Sequence, residues 1–242
     1  MKRLTVFLSL MLLSATLFSY LSNARATSEA DVYTATQSIL SSCTFFGDST
    51  TYGLHRYNAQ NNGKHGDNYY TLQDSQIWTP SDGTFYLGNV LKASVYINGK
   101  SILLSDACRQ FKPQKLVLTV GINGLASWTK DGFFSCYQKL INTVKTASPN
   151  TMIYLQSVYP ISPKAKEKLP HFTNEKINTL NLWINELAHT NGLSYLNTAS
   201  VLSDENGNLK ESYHNGDGLH LSTDGFNAML RYVEEQLSKG TA

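Results

Sequence analysis

Leu116-Val117-Leu118-Thr119-Val120 is a continuous, largely apolar run that stops at Gly121-Ile122-Asn123-Gly124. Such a run suits a strand covered on both faces, the situation of a strand inside a parallel sheet. Downstream, Phe133, Tyr137, Leu140, Ile141 and Val144 share one stripe and predict a helix over residues 132–147. Residues 152–158 are the next predicted strand, closed by Tyr159-Pro160. Thr173 precedes a helix carrying Ile177, Leu180, Ile184, Leu187 and Ala188, which ends at Asn191-Gly192. A short strand over 193–196 follows, and Ser222 or Thr223 caps a last helix carrying Phe226, Met229, Leu230, Val233 and Leu237. Upstream, residues 43–46 predict a first strand, 50–57 the helix after it, and 102–111 a helix ended by Pro113. Residues 58–68 are polar and turn-rich, a candidate rim or lid. Residues 69–72 and 84–87 are expected as short strands, with turn chemistry at Ser81-Asp82-Gly83 and Asn98-Gly99. Strands that alternate with helices in this way make an α/β fold with a mainly parallel sheet.

The chain begins Met1-Lys2-Arg3, continues through an apolar run over residues 4–21 and reaches Ala24-Arg25-Ala26. This is the form of an export signal, residues 1–26, cut after Ala26. The competing reading is an uncleaved membrane anchor, since the apolar run is nearly long enough to span a bilayer. Either places the rest of the chain outside the cytoplasm, secreted or at the cell surface. Residues 27–42 are expected as a linker or short first helix, and 43–242 as one domain. Without Lys2, Arg3 and Arg25 the basic side chains number 17 against 18 acidic, a formal charge of −1. A near-neutral protein with no Lys/Arg cluster offers no electrostatic reason to bind nucleic acid. Three scattered cysteines, Cys43, Cys108 and Cys136, make neither a disulfide framework nor a metal motif, although Cys43 and Cys108 are a conceivable pair.

Functional residues of an open parallel sheet gather where its strands end. Ser49 follows the first strand, Asn123 follows the 116–120 strand, and Asp217-Gly218-Leu219-His220 precedes the last helix. A serine hydroxyl needs a base, an imidazole is that base, and a carboxylate fixes the imidazole's tautomer. Asn123 and the Ser49 backbone could then donate to a developing oxyanion. Asp48, beside the serine, reads as a structural carboxylate that accepts from backbone amides in the strand-to-helix turn. His214 with Asp217 and His220 lacks the further ligands of a metal site. Trp78, Trp128 and Tyr159, with Tyr86, are candidates to line a sugar or acyl pocket, although Trp128 serves equally as packing.

Gly47-Asp48-Ser49, Gly121-x-Asn123 and Asp217-x-x-His220 stand in the order and spacing of blocks I, III and V of the SGNH (GDSL) hydrolase family, which the chain resembles from about Cys43 to its end. The resemblance implies a flavodoxin-like three-layer α/β/α sandwich and an esterase working through an acyl-enzyme without metal or organic cofactor. It implies Ser49 as nucleophile, His220 as base, Asp217 as its partner and Asn123 as oxyanion donor. Two departures stand out. The acid usual after the block III asparagine is here Gly124, and the block II glycine, a further oxyanion donor, matches either Gly88 or Gly99, with Gly88 preferred because it follows a strand-like run. The expected activity is removal of a short acyl group, such as acetyl, from a carbohydrate or another extracytoplasmic ester. The rival readings are a lipase or lysophospholipase, an O-acyltransferase, and a binding module that has lost catalysis. The expected partner is a small-molecule or polysaccharide ester, with a membrane involved only if the N-terminal segment stays uncleaved.

Overall fold

The computed structural model describes residues 39–61 and 70–240. The export signal, residues 27–38 of the linker, residues 62–68 of the polar loop and Tyr69 of the strand expected after it lie outside the described residues. Five strands form one parallel sheet: β1 (Cys43–Gly47), β2 (Ile77–Trp78), β5 (Lys115–Thr119), β6 (Met152–Gln156) and β7 (Ser194–Leu196). Their order is β2-β1-β5-β6-β7, and β3 (Ser94–Ile97) and β4 (Lys100–Leu103) make a separate antiparallel hairpin. Asn98 (φ 51°) and Gly99 (φ 79°) turn that hairpin in the left-handed conformations a two-residue loop requires.

Side-chain parity divides the core in two. Phe46, Leu116, Leu118, Ile153 and Leu155 point to one face of the sheet, while Phe45, Val117, Tyr154 and Leu196 point to the other. The first face is covered by α2 (Leu104–Phe111), α3 (Lys130–Ala147) and α5 (Asn174–Asn191), through residues such as Cys108, Tyr137 and Leu180. The second is covered by α1 (Ser49–Asn61) and α7 (Thr223–Ser238), through Leu54, Tyr57, Phe226 and Leu230. Two shorter helices, α4 (Pro163–Lys168) and α6 (Ala199–Leu202), lie at the strand ends. The result is a three-layer α/β/α sandwich. Cys43 belongs to one core and Cys108 to the other, both as free thiols, so the conceivable pair is not a disulfide.

Some elements differ from the sequence expectation. Residues 84–87 form no strand, and Leu87–Lys92 is a 3-10 segment. The described part of 69–72 is likewise irregular, and the strand beside β1 is instead Ile77–Trp78. Ile102 pairs with Val95 in the hairpin, so the helix expected from residue 102 begins at Leu104. Of the two caps expected for the last helix the structure uses Ser222, which accepts from Gly225 N, and Thr173, expected just before its helix, caps it by accepting from Lys176 N. Strand connections run outward from β1 on one side and from β5 on the other, so the order reverses between these two neighbours. In open α/β sheets the crevice at such a reversal is the binding position.

Candidate active site

Ser49 is the first residue of α1, directly after β1. Asp48 caps the helix, its Oδ1 accepting from Thr50 N at 3.0 Å and from Thr50 Oγ1 at 2.8 Å. A Cβ on Gly47 would lie 2.1 Å from Thr51 Oγ1 and 2.5 Å from the Thr119 carbonyl, so only glycine lets the strand turn into the helix this close to β5. Asp48 is 1% exposed and its Oδ2 has no hydrogen-bond partner. Burial pushes its carboxyl up to about 6, against the opposing pull of the Thr50 hydrogen bonds and the His220 charge.

The candidate acid and base, Asp217 and His220, stand in one turn over residues 217–220. His220 Nε2 lies 3.0 Å from Ser49 Oγ, and His220 Nδ1 lies 2.7 Å from Asp217 Oδ2. Asp217 Oδ1 accepts from the amides of Leu219 at 2.7 Å and His220 at 2.8 Å. Burial alone would raise the Asp217 carboxyl, but the bonds from the His220 ring and these amides outweigh it and hold it below the usual carboxylate range. An ionised carboxylate only accepts, so Nδ1 carries the proton and Nε2 presents its lone pair to Ser49. The Asp217 Oδ1 bonds place acid and base in one tight turn, which Gly218 makes possible. Its φ is 82°, and a Cβ there would come to 2.5 Å from Ala165 N and Ser162 Oγ of the α4 region. Ser162 N in turn donates to the Gly218 carbonyl at 2.9 Å. Below the turn, His214 is buried, pairs with Leu221 as an isolated bridge and accepts from Gly216 N through Nδ1 at 3.0 Å. It braces the loop and does not face Ser49 as a ligand.

Asn123 is held in a turn with Gly121 (φ 127°) and Gly124 (φ 91°). Its Nδ2 donates to the Phe85 carbonyl at 2.7 Å, and an amide nitrogen has a second hydrogen to give. Trp128 Nε1 fastens the turn by donating to the carbonyls of Gly121 and Asn123, each at 3.2 Å. The Trp128 ring stacks on Tyr86 with centroids 5.2 Å apart, and a Cβ on Gly124 would come to 2.6 Å from the Tyr86 ring. The missing acid at 124 thus has a cause: two rings cover its place.

The two glycines expected beside Ser49, Gly88 and Gly99, have other surroundings. Gly88 lies in the 3-10 segment against the Tyr86 ring, and Gly99 has nothing within 4 Å of its Cβ position. Gly83 instead packs against Tyr52 and, at 3.4 Å, the Cα of Ser49. Its φ is 71° and its N–H closes a turn on the Pro80 carbonyl at 2.9 Å. The signal for it was the turn chemistry of Ser81-Asp82-Gly83 directly after a strand, which a two-residue strand conceals.

Of the pocket aromatics, Trp78 and Tyr159 belong to the core. Trp78 is 1% exposed, with Nε1 donating to the Ser75 carbonyl, and Tyr159 is 3% exposed, with its hydroxyl accepting from Gln156 Nε2. Both were aromatic residues near strand ends that the sheet itself buries. A cleft of about 390 Å³ opens at Ser49, walled on one side by Tyr52, Gly53 and Arg56 of α1 and on the other by Asn215, Asp217, His220 and Leu221. Sequence reasoning overlooked Tyr52 and Arg56, although they share a helix face with the serine.

The profile of the GDSL-like Lipase/Acylhydrolase family matches residues 45–228. The chain belongs to this family. Among solved structures, a Streptococcus pneumonia protein provisionally assigned as a platelet activating factor superposes with a TM-score of 0.59 at 21% identity, over 92% of this chain and 99% of that one. A GDSL-like lipase from Bacteroides thetaiotaomicron gives 0.53 at 20% identity, over 82% and 88%. A provisionally assigned acylhydrolase from Bacteroides fragilis gives 0.56 at 19% identity, over 82% and 86%. No curated protein sequence matches the chain. At these identities the solved structures speak for the fold, and the family profile makes this GDSL-like protein a hydrolase.

Proposed function

We propose that this GDSL-like hydrolase is an exported serine esterase that removes short acyl groups, acetyl among them, through an acyl-enzyme. The observation carrying this reading is the continuous bond from Asp217 Oδ2 through His220 to Ser49 Oγ, at 2.7 and 3.0 Å. His220 Nε2 takes the hydroxyl proton as Ser49 Oγ attacks the ester carbonyl, and Asp217 steadies the imidazolium that forms. The negative charge gathers on the carbonyl oxygen. The Ser49 N–H, an opening amide of α1 without a partner inside the helix, and the second hydrogen of Asn123 Nδ2 are the donors assigned to it. Gly83 stands at the third position, with Pro80 competing for its N–H.

His220 then returns the proton to the leaving alcohol, and a water deprotonated by the same imidazole releases the acid and restores Ser49. The cleft at Ser49 presents mostly apolar surface, with Tyr52 and Leu221 in its walls, so the length of the acyl group is what the assay decides. Export rests on the form of residues 1–26. The test is hydrolysis of p-nitrophenyl acetate and longer homologues by residues 27–242, beside Ser49→Ala and His220→Ala. Equal turnover by wild type and Ser49→Ala would sink the mechanism, and a preference for long chains would move the protein to the lipase reading.

A further inference from the structure

The cleft at Ser49 does not end at the catalytic residues. A second hollow of about 280 Å³ adjoins it and shares Gly53, Arg56, Asn215 and Leu221 with it before continuing to Gln60 and Thr223. The two make one groove between α1 and residues 215–226. Its floor is a single face of α1, because Ser49, Tyr52, Gly53, Arg56 and Gln60 recur at the three- and four-residue spacing that lines up side chains on a helix. Gly53 lets the Phe226 ring close one side of the groove against α1, since a Cβ there would come to 2.7 Å from that ring.

Two donors stand where the hollows meet. Arg56 is exposed and has no ion pair among the described residues, and its five guanidinium hydrogens can only donate. Asn215, which lines both hollows, uses its Oδ1 to accept from Asp217 N at 3.2 Å, which leaves its amide nitrogen as the group with hydrogens to give. The acidic side chain in the walls is Asp217, and its carboxylate is already taken by the His220 ring and two backbone amides. The junction therefore presents positive charge and hydrogen-bond donors without a matching acceptor. Arg56 follows Ser49 by two helical turns, roughly 10 Å along the axis. Side chains of a helix lean toward its N-terminus, which brings the guanidinium back toward the serine.

We infer that Arg56, with Asn215, selects esters whose alcohol portion carries an anionic oxygen acid, a carboxylate or a phosphate, within about one sugar ring of the acyl group. The inference rests on the esterase reading of Ser49 and deepens it. A guanidinium fork matches the two oxygens of either group, and the attraction acts in an open, wet groove, where an ion pair contributes a few-fold in binding and weakens with salt.

The test compares kcat/KM for O-acetyl galacturonate with its neutral methyl ester, and for acetylated glycerol phosphate with acetylated glycerol, in wild type, Arg56→Gln and Arg56→Lys. In wild type the anionic member of one pair is expected to be favoured about fivefold at low salt, through KM. Arg56→Gln should bring that ratio to near one, Arg56→Lys should keep part of it, and salt should erode it. The pair that responds names the source of the anion. An unchanged ratio in Arg56→Gln, or no preference in wild type for either pair, overturns the inference while leaving the esterase intact. Should wild type cleave none of these esters nor p-nitrophenyl acetate, the esterase reading fails instead. Calorimetric binding of galacturonate and glycerol phosphate to Ser49→Ala protein, with and without Arg56→Gln, then decides the anion site alone: weaker binding in the double variant supports it, and equal binding refutes it.

Discussion

Gly218→Ala tests whether the turn between acid and base sets the geometry of the site. At a φ of 82° an added Cβ costs roughly 1–2 kcal/mol from backbone strain. It also meets Ala165 N and Ser162 Oγ, each at 2.5 Å, and overpacking of this kind adds about 1–3 kcal/mol. The combined loss is about 2–5 kcal/mol, which in a domain of this length lowers Tm by roughly 5–15 °C. Activity suffers separately. The turn must back away from α4, carrying His220 with it, and a displacement near 1 Å in a catalytic group costs on the order of 100-fold in turnover. Ser162→Ala provides an internal control, because Ser162 Oγ is buried without a partner and its removal alone should cost little. Combined with Gly218→Ala it relieves one of the two collisions, but the backbone nitrogen of Ala165 remains. Thermal unfolding and p-nitrophenyl acetate turnover of the two single variants and the double variant should show partial recovery, with a coupling of about 1 kcal/mol. A Gly218→Ala protein with wild-type Tm and kcat would refute the reasoning, and full rescue by Ser162→Ala would refute the role given to the Ala165 backbone.

Asp48→Asn keeps an acceptor for Thr50 and removes a buried charge. Because burial raises the carboxyl from the usual 3.8 to about 6, the folded state holds this proton more tightly than the unfolded chain. Its contribution to stability is therefore fully present below the unfolded value, falls as pH rises through that window, and ends as a penalty of about 3 kcal/mol above it. Denaturant unfolding at pH 4 and pH 7 should show the variant gaining on wild type at the higher pH, and a pH-independent difference would contradict the burial argument. Asp217→Asn should cost up to about 10⁴-fold in kcat by favouring the wrong imidazole tautomer, with Tm near wild type; a loss under tenfold would remove the acid from the mechanism. Gly124→Asp restores the residue usual in this family but meets the Tyr86 ring at a φ of 91°. It should cost about 2–5 kcal/mol and change the near-UV circular dichroism of the Tyr86–Trp128 stack, and an unaltered spectrum would mean the rings do not exclude a side chain.

How much of this could be read from the chain depends on element length and on which side chains a strand hides. β1, β5 and β6 are legible because residues such as Phe45, Val117 and Leu155 are apolar on both parities, and α3, α5 and α7 because their buried stripes are long. β2 is not: two residues have no period, so Ile77-Trp78 gives no strand signal, and Trp78 reads as a loop aromatic although β1 and Phe111 enclose it. The hairpin misleads in the opposite way, since Ile102 fits the helical stripe that continues from Leu104. At the site, Ser49, Asp217 and His220 can be picked out because their chemistry is unusual and their spacing short. Gly83, Gly218 and Arg56 are harder. The first two matter for the space they leave empty, and Arg56 for what stands across the groove from it, and neither property belongs to a residue type.

The bond between Ser49 and His220 joins residues 171 positions apart, whereas the Asp217 and His220 contacts are local. Asp217 and His220 therefore share one local turn, which the Ser162 N–H seats through the Gly218 carbonyl, and the long-range contact with Ser49 completes the site. Contacts that close so long a loop form slowly in folding, since the entropy of closure is lost before the contact is gained. Turnover in this protein should then report the seating of residues 214–238 on α1. Because Phe226, Met229, Leu230 and Val233 of α7 share one buried cluster with Phe45 and Val117 of the sheet, activity and sheet are expected to be lost together under denaturant.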